Sequence, residues 1–333
     1  MAAASFIWLL HQPAVAGWVK REMAARRPDL KFAFSRPGLT TFKGAQPVAS
    51  SFARAHGTSL GRAAGVADVL ALVPARGMRL HVFERDLDRP ADERDATVAG
   101  SRARTLEAEL RATGAFREGI EAVDGDAVLD VICAPAEEAD EPLLVGHHCH
   151  DRTRGPFPGG VAHVAIPAES PSRAWAKIEE AIRWSGLTPA AGETAVEIGS
   201  SPGGASFALL ERGLTVHGID PGVMAPSVMA HPRFVHHAMP AAEVDRRSLP
   251  KHYQWLASDV NLAPMIALKY VERMVALAHG GLRGAFITLK LNDDGVFDAL
   301  PRLMDRISRL GARDVRYTQL PSHRSEIIAI MAW

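Results

Sequence analysis

From residue 173 onward the chain alternates short apolar runs with stretches of helical period, and this alternation constrains the fold more than any other feature. Strands are expected at 194–199, 215–220, 253–259, 282–291, 314–320 and 326–333, with helices at 203–212, 264–278 and 296–310. The runs are strongly apolar, as strands covered on both faces are. The pattern gives an α/β domain, a mostly parallel sheet with helices on both sides.

With 333 residues the chain has room for two domains, at roughly 100–200 residues each, and its 47% hydrophobic content supplies their cores. The first half reads as mixed α and β, with strands expected at 5–10, 78–85, 127–134 and 142–150 and helices at 14–27 and 96–113. Between the halves, "DRTRGPFPGGVAHVAIPAESPSRAW" is crowded with proline and glycine and keeps no period. It ends at Ser170-Pro171, a helix N-cap with proline at the first helical position. The expected division is an α+β domain over 1–154, a linker over 155–172 and the α/β domain over 173–333. The opening "MAAASFIWLLHQP" has no positive residue before its apolar core and is read as a first strand rather than a leader. No apolar run reaches the roughly 18–20 residues of a membrane span. Two cysteines, Cys133 and Cys149, make no disulfide framework. A cytoplasmic location is expected.

The stretch "EIGSSPGGASFALLERG", Glu197 to Gly213, lies where the first strand of the second half gives way to a helix. In an open α/β sheet, ligands sit beyond the carboxyl ends of the strands. Gly199, Gly203 and Gly204 let the backbone turn tightly and come close to a ligand. The next strand ends in Asp220, and an acid there commonly takes the two ribose hydroxyls of a nucleoside. The spacing is not Gly-x-Gly-x-x-Gly and no Gly-Lys-Ser/Thr follows, so a dinucleotide or triphosphate is disfavoured. A nucleoside without phosphates, such as S-adenosylmethionine, suits the loop better.

Four charged residues stand where a site could gather. Asp259, in "WLASDVN", and Lys290, in "AFITLKLN", follow apolar runs and should emerge at the carboxyl edge of the sheet. Glu326 begins the last run, "EIIAIMAW", and reaches the same edge if that strand is antiparallel. Lys177 lies on the helix that opens the second half, where Trp175, Ile178 and Ile182 face inward.

Together these features resemble a known family. The order lysine, aspartate, lysine, glutamate, and its placement around the glycine loop, is similar to the K-D-K-E tetrad of the FtsJ-like ribose 2′-O-methyltransferases. "SPSRAWAKIEEA" looks like that family's first motif and "EIGSSPGG" like its cofactor loop. "GVAHVAIPAESPSRAWAKIEEAI" and "VHGIDPGVMAPSVM" are similar to its members that methylate a cytidine of large-subunit (23S) rRNA. The resemblance covers nearly all of 127–333. Over 1–126 it rests mainly on element order, in a region where those members carry an RNA-binding THUMP domain.

The resemblance implies a Rossmann-like class I methyltransferase sheet, mostly parallel with an antiparallel last strand, after an α+β THUMP-like domain. It implies S-adenosylmethionine as cofactor, surrounded by Glu197, Gly199, Ser200, Ser201, Pro202, Gly203, Gly204 and Asp259, with Asp220 on its ribose. Lys177, Asp259, Lys290 and Glu326 would be catalytic. The implied partner is rRNA, not DNA or a membrane. Lys290 would serve as base, its pKa drawn down by burial and by neighbouring positive charge, while Asp259 and Glu326 hold the lysines and keep the cluster near neutrality. In one place the chain departs from the pattern. "RFVHHAMPAAE" has no acid before Glu243, where the family often has one near the adenine amino group.

"GHHCHDRTRG" could suggest a metal, but adjacent strand histidines point to opposite faces and no second Cys/His pair has zinc-finger spacing, so no metal is expected. His150, Arg152 and Arg154 are candidates for RNA phosphate contacts. "ARRPDLK" and "DRRSLPKH" read as solvated basic clusters. Lys+Arg and Asp+Glu number 38 each over the chain, and 20 against 21 in residues 1–168, which leaves 18 against 17 for the rest. Neither half is broadly basic, so RNA binding would rest on shape and a small patch. Two alternatives stay open: a binding protein of methyltransferase fold without catalysis, and a methyltransferase with a non-RNA acceptor.

Overall fold

The structure is a computed structural model and describes residues 5–44, 46–86, 100–291 and 294–333. The chain divides into two units, Met1–Ala162 and His163–Trp333. The first contains β1 (Phe6–His11), α1 (Ala16–Arg26), β2 (Lys31–Arg36), β3 (Leu39–Lys43), β4 (Ala53–Ala63), α2 (Val66–Leu72), β5 (Arg79–Glu84), α3 (Ser101–Ala112), β6 (Ala127–Cys133) and β7 (Leu143–Cys149). Its seven strands lie in the order β2-β3-β1-β4-β7-β6-β5, antiparallel except where β5 runs parallel to β6. The unit is α+β.

β2, β3 and β4 fall in a stretch to which the sequence assigns no elements, and the reason is physical. β2 is exposed or half-buried along its whole length, with no alternation to read. β4 contains Gly57 and Gly61 and shifts register between Ser59 and Gly61, as glycine-marked irregularities in strands do. Residues 96–99 of the expected helix over 96–113 lie outside the described residues.

The stretch expected as linker starts later than the sequence suggests. Arg54 Nε donates to Gly159 O at 3.0 Å. A Cβ on Gly160 would stand 2.5 Å from the carbonyl oxygen of Arg54. The glycines at 159 and 160, with φ of 61° and 69°, therefore seat residues 155–162 against the first unit's own strands instead of freeing them.

The second unit contains α4 (Ala174–Ser185), β8 (Thr194–Ile198), α5 (Gly204–Glu211), β9 (Thr215–Ile219), α6 (Pro226–Met229), β10 (Phe234–His237), β11 (Trp255–Ser258), α7 (Pro264–Leu277), β12 (Gly284–Lys290), α8 (Asp294–Ser308), β13 (Asp314–Thr318) and β14 (Glu326–Ala332). Its sheet runs β10-β9-β8-β11-β12-β14-β13. β8 to β12 are parallel, and β14 is antiparallel to both β12 and β13. The strand order reverses between β8 and β11, which makes a crevice at their carboxyl ends. The face of β8, β11, β12 and β14 that carries Ala195, Trp255, Ala257, Phe286, Ile328 and Ile330 packs against Trp175, Ile178 and Ile182 of α4 and Ala205, Ala208 and Leu209 of α5 in one buried core.

Candidate functional site

Strand geometry decides which side chains share that core face. Side chains two apart along a strand point the same way. Below Ala195 in β8 comes Glu197; below Trp255 and Ala257 in β11 comes Asp259; below Phe286 in β12 come Thr288 and Lys290. In antiparallel β14, Glu326 precedes Ile328 and Ile330, and it pairs in register with Lys290. All five therefore fall on the side covered by α4, just where the apolar strands end. Lys177, in the first turn of α4, meets them from above.

The result is a closed ring of alternating charge. Lys177 Nζ donates to Asp259 Oδ2 at 2.8 Å and pairs with Glu326 Oε1. Lys290 Nζ lies 3.0 Å from Asp259 Oδ1 and 2.5 Å from Glu326 Oε2. Each lysine touches both acids and each acid touches both lysines. The side chains are only 9–18% exposed. Two positive and two negative charges leave the ring neutral, which partial burial requires.

The acids and Lys290 pull on one another as this geometry demands. Burial pushes the carboxyls of Asp259 and Glu326 up. For Asp259 the two ammonium groups outweigh it and hold the group below its ordinary range; for Glu326, His323 and Lys177 do the same. Burial pulls Lys290 down, but Asp259 and Glu326 together outweigh it, and its pKa stands above the ordinary lysine value. The expectation from sequence, a lysine lowered by burial and a second cation, is therefore corrected for the site on its own: the carboxylates win.

His323 escaped the sequence reading. It lies three residues before Glu326, is 1% exposed, and accepts at Nδ1 from Leu320 N at 3.1 Å. Burial lowers it to about 4. A histidine just ahead of the last strand was the available signal, but nothing in its spacing separates it from a core residue. The turn that carries it is tied to α4 by Glu180 Oε2, which accepts from Ser322 N at 3.0 Å and Ser322 Oγ at 2.7 Å.

The glycine loop crosses the same edge. Gly199 follows β8 with φ 84°, and a Cβ there would lie 2.7 Å from Val260 Cγ1 and 2.9 Å from Asp259 O. Gly203, with φ 119°, approaches Val228 so closely that a Cβ would stand 2.8 Å from its Cγ2. Asp220 takes Gly222 N on Oδ1 at 2.7 Å and Ser201 N on Oδ2 at 3.2 Å. Each oxygen keeps a further lone pair. Ser200 is buried with its Oγ 3.6 Å from Met224 Sδ, and Ser201 Oγ donates to Val223 O at 2.8 Å. Ala225 N donates to Pro202 O at 2.9 Å. These three residues thus fix the loop through contacts of their own. Glu197, 2% exposed, accepts from Ser206 Oγ of α5 at 2.5 Å. Burial, reinforced by Asp259 and Asp220, raises it to about 8, so at neutral pH it is chiefly an uncharged acid.

The three expected phosphate contacts are not brought together at the surface. His150 and Arg154 are 6% and 5% exposed. Arg154 gives its donors to His56 O at 2.9 Å, His56 Nδ1 at 3.0 Å and Asp151 Oδ2 at 2.6 Å. Only Arg152 is exposed. Two residues on from His148, His150 returns to the same inner face of the strand, a parity argument that applied to the sequence as well. Among the described residues no helix is long and apolar enough to cross a membrane.

Residues 171–297 match the family model described as FtsJ-like methyltransferase. Relatives that carry the name ribosomal RNA large subunit methyltransferase M match about half of the chain. That of Halorhodospira halophila is 32% identical over 174 residues, which cover 51% of this chain and 50% of the relative. That of Ectopseudomonas mendocina is 33% identical over 184 residues, 51% and 50% of the two chains, and that of Musicola paradisiaca 28% over 227 residues, 62% and 60%. The chain spans about half the length of the first two. The second unit thus has the strand order of a Rossmann-like sheet, and residues 171–297 within it are similar to an FtsJ-like methyltransferase domain.

Proposed function

We propose that this chain, whose residues 171–297 are similar to an FtsJ-like methyltransferase domain, is an S-adenosylmethionine-dependent methyltransferase of large-subunit ribosomal RNA that modifies a ribose 2′-hydroxyl, on a cytidine. The observation that carries the reading is the alternating ring of Lys177, Asp259, Lys290 and Glu326 at the sheet's carboxyl edge. The matched family and the names of the relatives support the reaction class and the RNA. The 2′-oxygen and the cytidine rest on the resemblance of the tetrad and its flanking motifs.

The residues present suit the cofactor. Main chain at Gly199 and Gly203 occupies space that no side chain could share. Asp220 has lone pairs left for two ribose hydroxyls, and buried Ser258 Oγ has no hydrogen-bond partner among the described residues. Gly199, Ser201, Pro202, Gly203 and Gly204 would line the cofactor, Asp220 would hold its ribose, and Glu197, as a neutral acid, and Asp259 would flank it. Bound there, S-adenosylmethionine supplies a methyl group on a positively charged sulfur, a good leaving group.

The protein's own residues handle the proton. A 2′-hydroxyl attacks only as its proton leaves, so a base must stand within hydrogen-bond reach. Lys290 Nζ is that base in this reading, and it must first be uncharged. Asp259 and Glu326 oppose this, and positive charge brought beside Lys290 favours it. Lys177, held by the same two acids, fixes them in place when Lys290 turns from ammonium to amine. Once oxygen and methyl carbon are aligned, proximity supplies much of the rate.

Mapping of 2′-O-methyl marks in rRNA from cells with and without this protein tests the assignment. One ribose mark on a large-subunit cytidine should vanish with the protein and return with it. An unchanged map would overturn the reading.

A further inference from the structure

The amino edge of the second unit's sheet, opposite the charged ring, holds a basic pocket that the methyl-transfer reading does not use. Arg246, Arg247, Leu249, Pro250, Lys251 and His252, from the segment leading into β11, face Leu277 and His279 at the end of α7 across a cavity of about 590 Å³. Among the described residues no acid lines it. In a chain with equal numbers of acids and bases, this is a local excess of cationic side chains.

The pocket is held in shape. On one side, Arg273 of α7 donates to the carbonyls of Ala241, Ala242 and Val244 at 2.9, 3.0 and 2.5 Å. On the other, the Tyr253 hydroxyl donates to Met274 O. Between these anchors Asp245 Oδ1 accepts from Arg247 N at 2.9 Å and Asp245 O from Ser248 Oγ at 2.7 Å. Asp245 thus spends itself on the turn's backbone, and the Arg247 guanidinium is exposed. His279 has φ 48°, at a position after a helix where glycine is the usual residue. It accepts there from Arg246 Nη2. This left-handed backbone, uncommon for a residue other than glycine, sets the imidazole against the cationic wall.

We infer that this pocket binds phosphate groups of the RNA backbone, as a second anchor for the substrate on the side of the domain away from the charged ring. β11 spans four residues, so the two places are separated by at least roughly 13 Å at ~3.3 Å per residue. A single flexible nucleotide strand or a folded hairpin can pass around the domain between them. Arginine forks and a lysine suit phosphate oxygens. Among the described residues no Phe, Tyr or Trp lines the pocket and its charged side chains are cationic, so the anchor reads phosphate charge and leaves sequence choice to the active site.

This inference rests on the RNA reading above, and its test separates the two. Binding of an unmodified large-subunit rRNA transcript to the full chain is measured by filter retention over a salt series, for the wild type and for Arg247→Glu/Lys251→Glu. Poly-L-glutamate serves as a second probe. Both side chains are exposed, and unchanged thermal melting checks that the variant folds. The expected result is about tenfold weaker RNA binding by the variant. Its log–log salt slope should be shallower by about 1.4, from two contacts at roughly 0.7 each on single strands. Equal RNA affinity and slope in both proteins overturns the pocket. So does loss confined to poly-L-glutamate, which would assign the pocket to an acidic protein. Failure of the wild type itself to bind RNA would sink the RNA reading instead.

Discussion

Lys290 at the end of β12 and Glu326 at the start of β14 are direct cross-strand partners, and their side chains meet with Nζ 2.5 Å from Oε2. The pairing register thus sets the spacing of one acid and one base at the sheet's edge before any loop is considered. Asp259 joins them from β11, and Lys177 closes the ring from α4.

Because Asp259 and Glu326 hold Lys290 above the ordinary lysine range, the amine form is scarce at neutral pH. The rate of methyl transfer should climb with pH, close to tenfold per unit below the pKa. Asp259→Asn removes one of the two opposing carboxylates. Its rate should begin to climb at lower pH even though its maximum is reduced by looser geometry. A pH–kcat profile for both proteins checks this; a rise that stays in place or moves to higher pH would count against the electrostatic account.

Glu197 makes a prediction about stability. Its pKa is raised from 4.5 to about 8 by burial. A group raised on folding contributes stability that is fully present below its unfolded value and is lost as pH rises through the folded one. The wild type should therefore lose stability between about pH 4.5 and 8 through this residue. Glu197→Gln, which cannot ionise, should lose less over that window. Denaturant unfolding of both proteins at pH 5 and pH 8.5 measures the difference.

Gly199→Ala should fail for a geometric reason. Its φ of 84° disfavours any side chain, at about 1–2 kcal/mol, and the new methyl would press on Val260 and the carbonyl of Asp259. A destabilisation of at least ~2 kcal/mol is expected. Cofactor affinity and turnover should drop together, because one displacement disturbs both the loop and an acid of the ring. Calorimetric titration and single-turnover transfer on the same preparation would reveal it.

The second unit was legible because its strands are buried on both faces and end abruptly in charge. Lys290 and Glu326 stand out at the ends of runs such as "GAFITLK" and "EIIAIMA", and period-two parity places them on one face. β10 could be given no bounds from the residues alone: four residues with two histidines make no apolar run. In the first unit β2 was unreadable because exposure erases alternation, and β4 because glycines interrupt it. The direction of the Lys290 shift was also beyond the sequence, since it depends on two acids approaching within 3.0 Å and 2.5 Å. Arg154 turns inward to His56 and pairs with Asp151, and His150 packs beside His148, contacts that their basic flanks do not reveal.

The most direct test of the central claim compares the wild type with Lys290→Met in single-turnover transfer of a labelled methyl group to unmodified large-subunit rRNA. The RNA is then digested to nucleosides and cofactor binding is measured in parallel. The account expects a 2′-O-methylated cytidine from the wild type, and at least a 10²–10⁴-fold slower reaction from the variant, the range of a lost general base, with cofactor affinity nearly unchanged. A label found on a nucleobase, or a Lys290→Met protein that transfers at the wild-type rate, would contradict it.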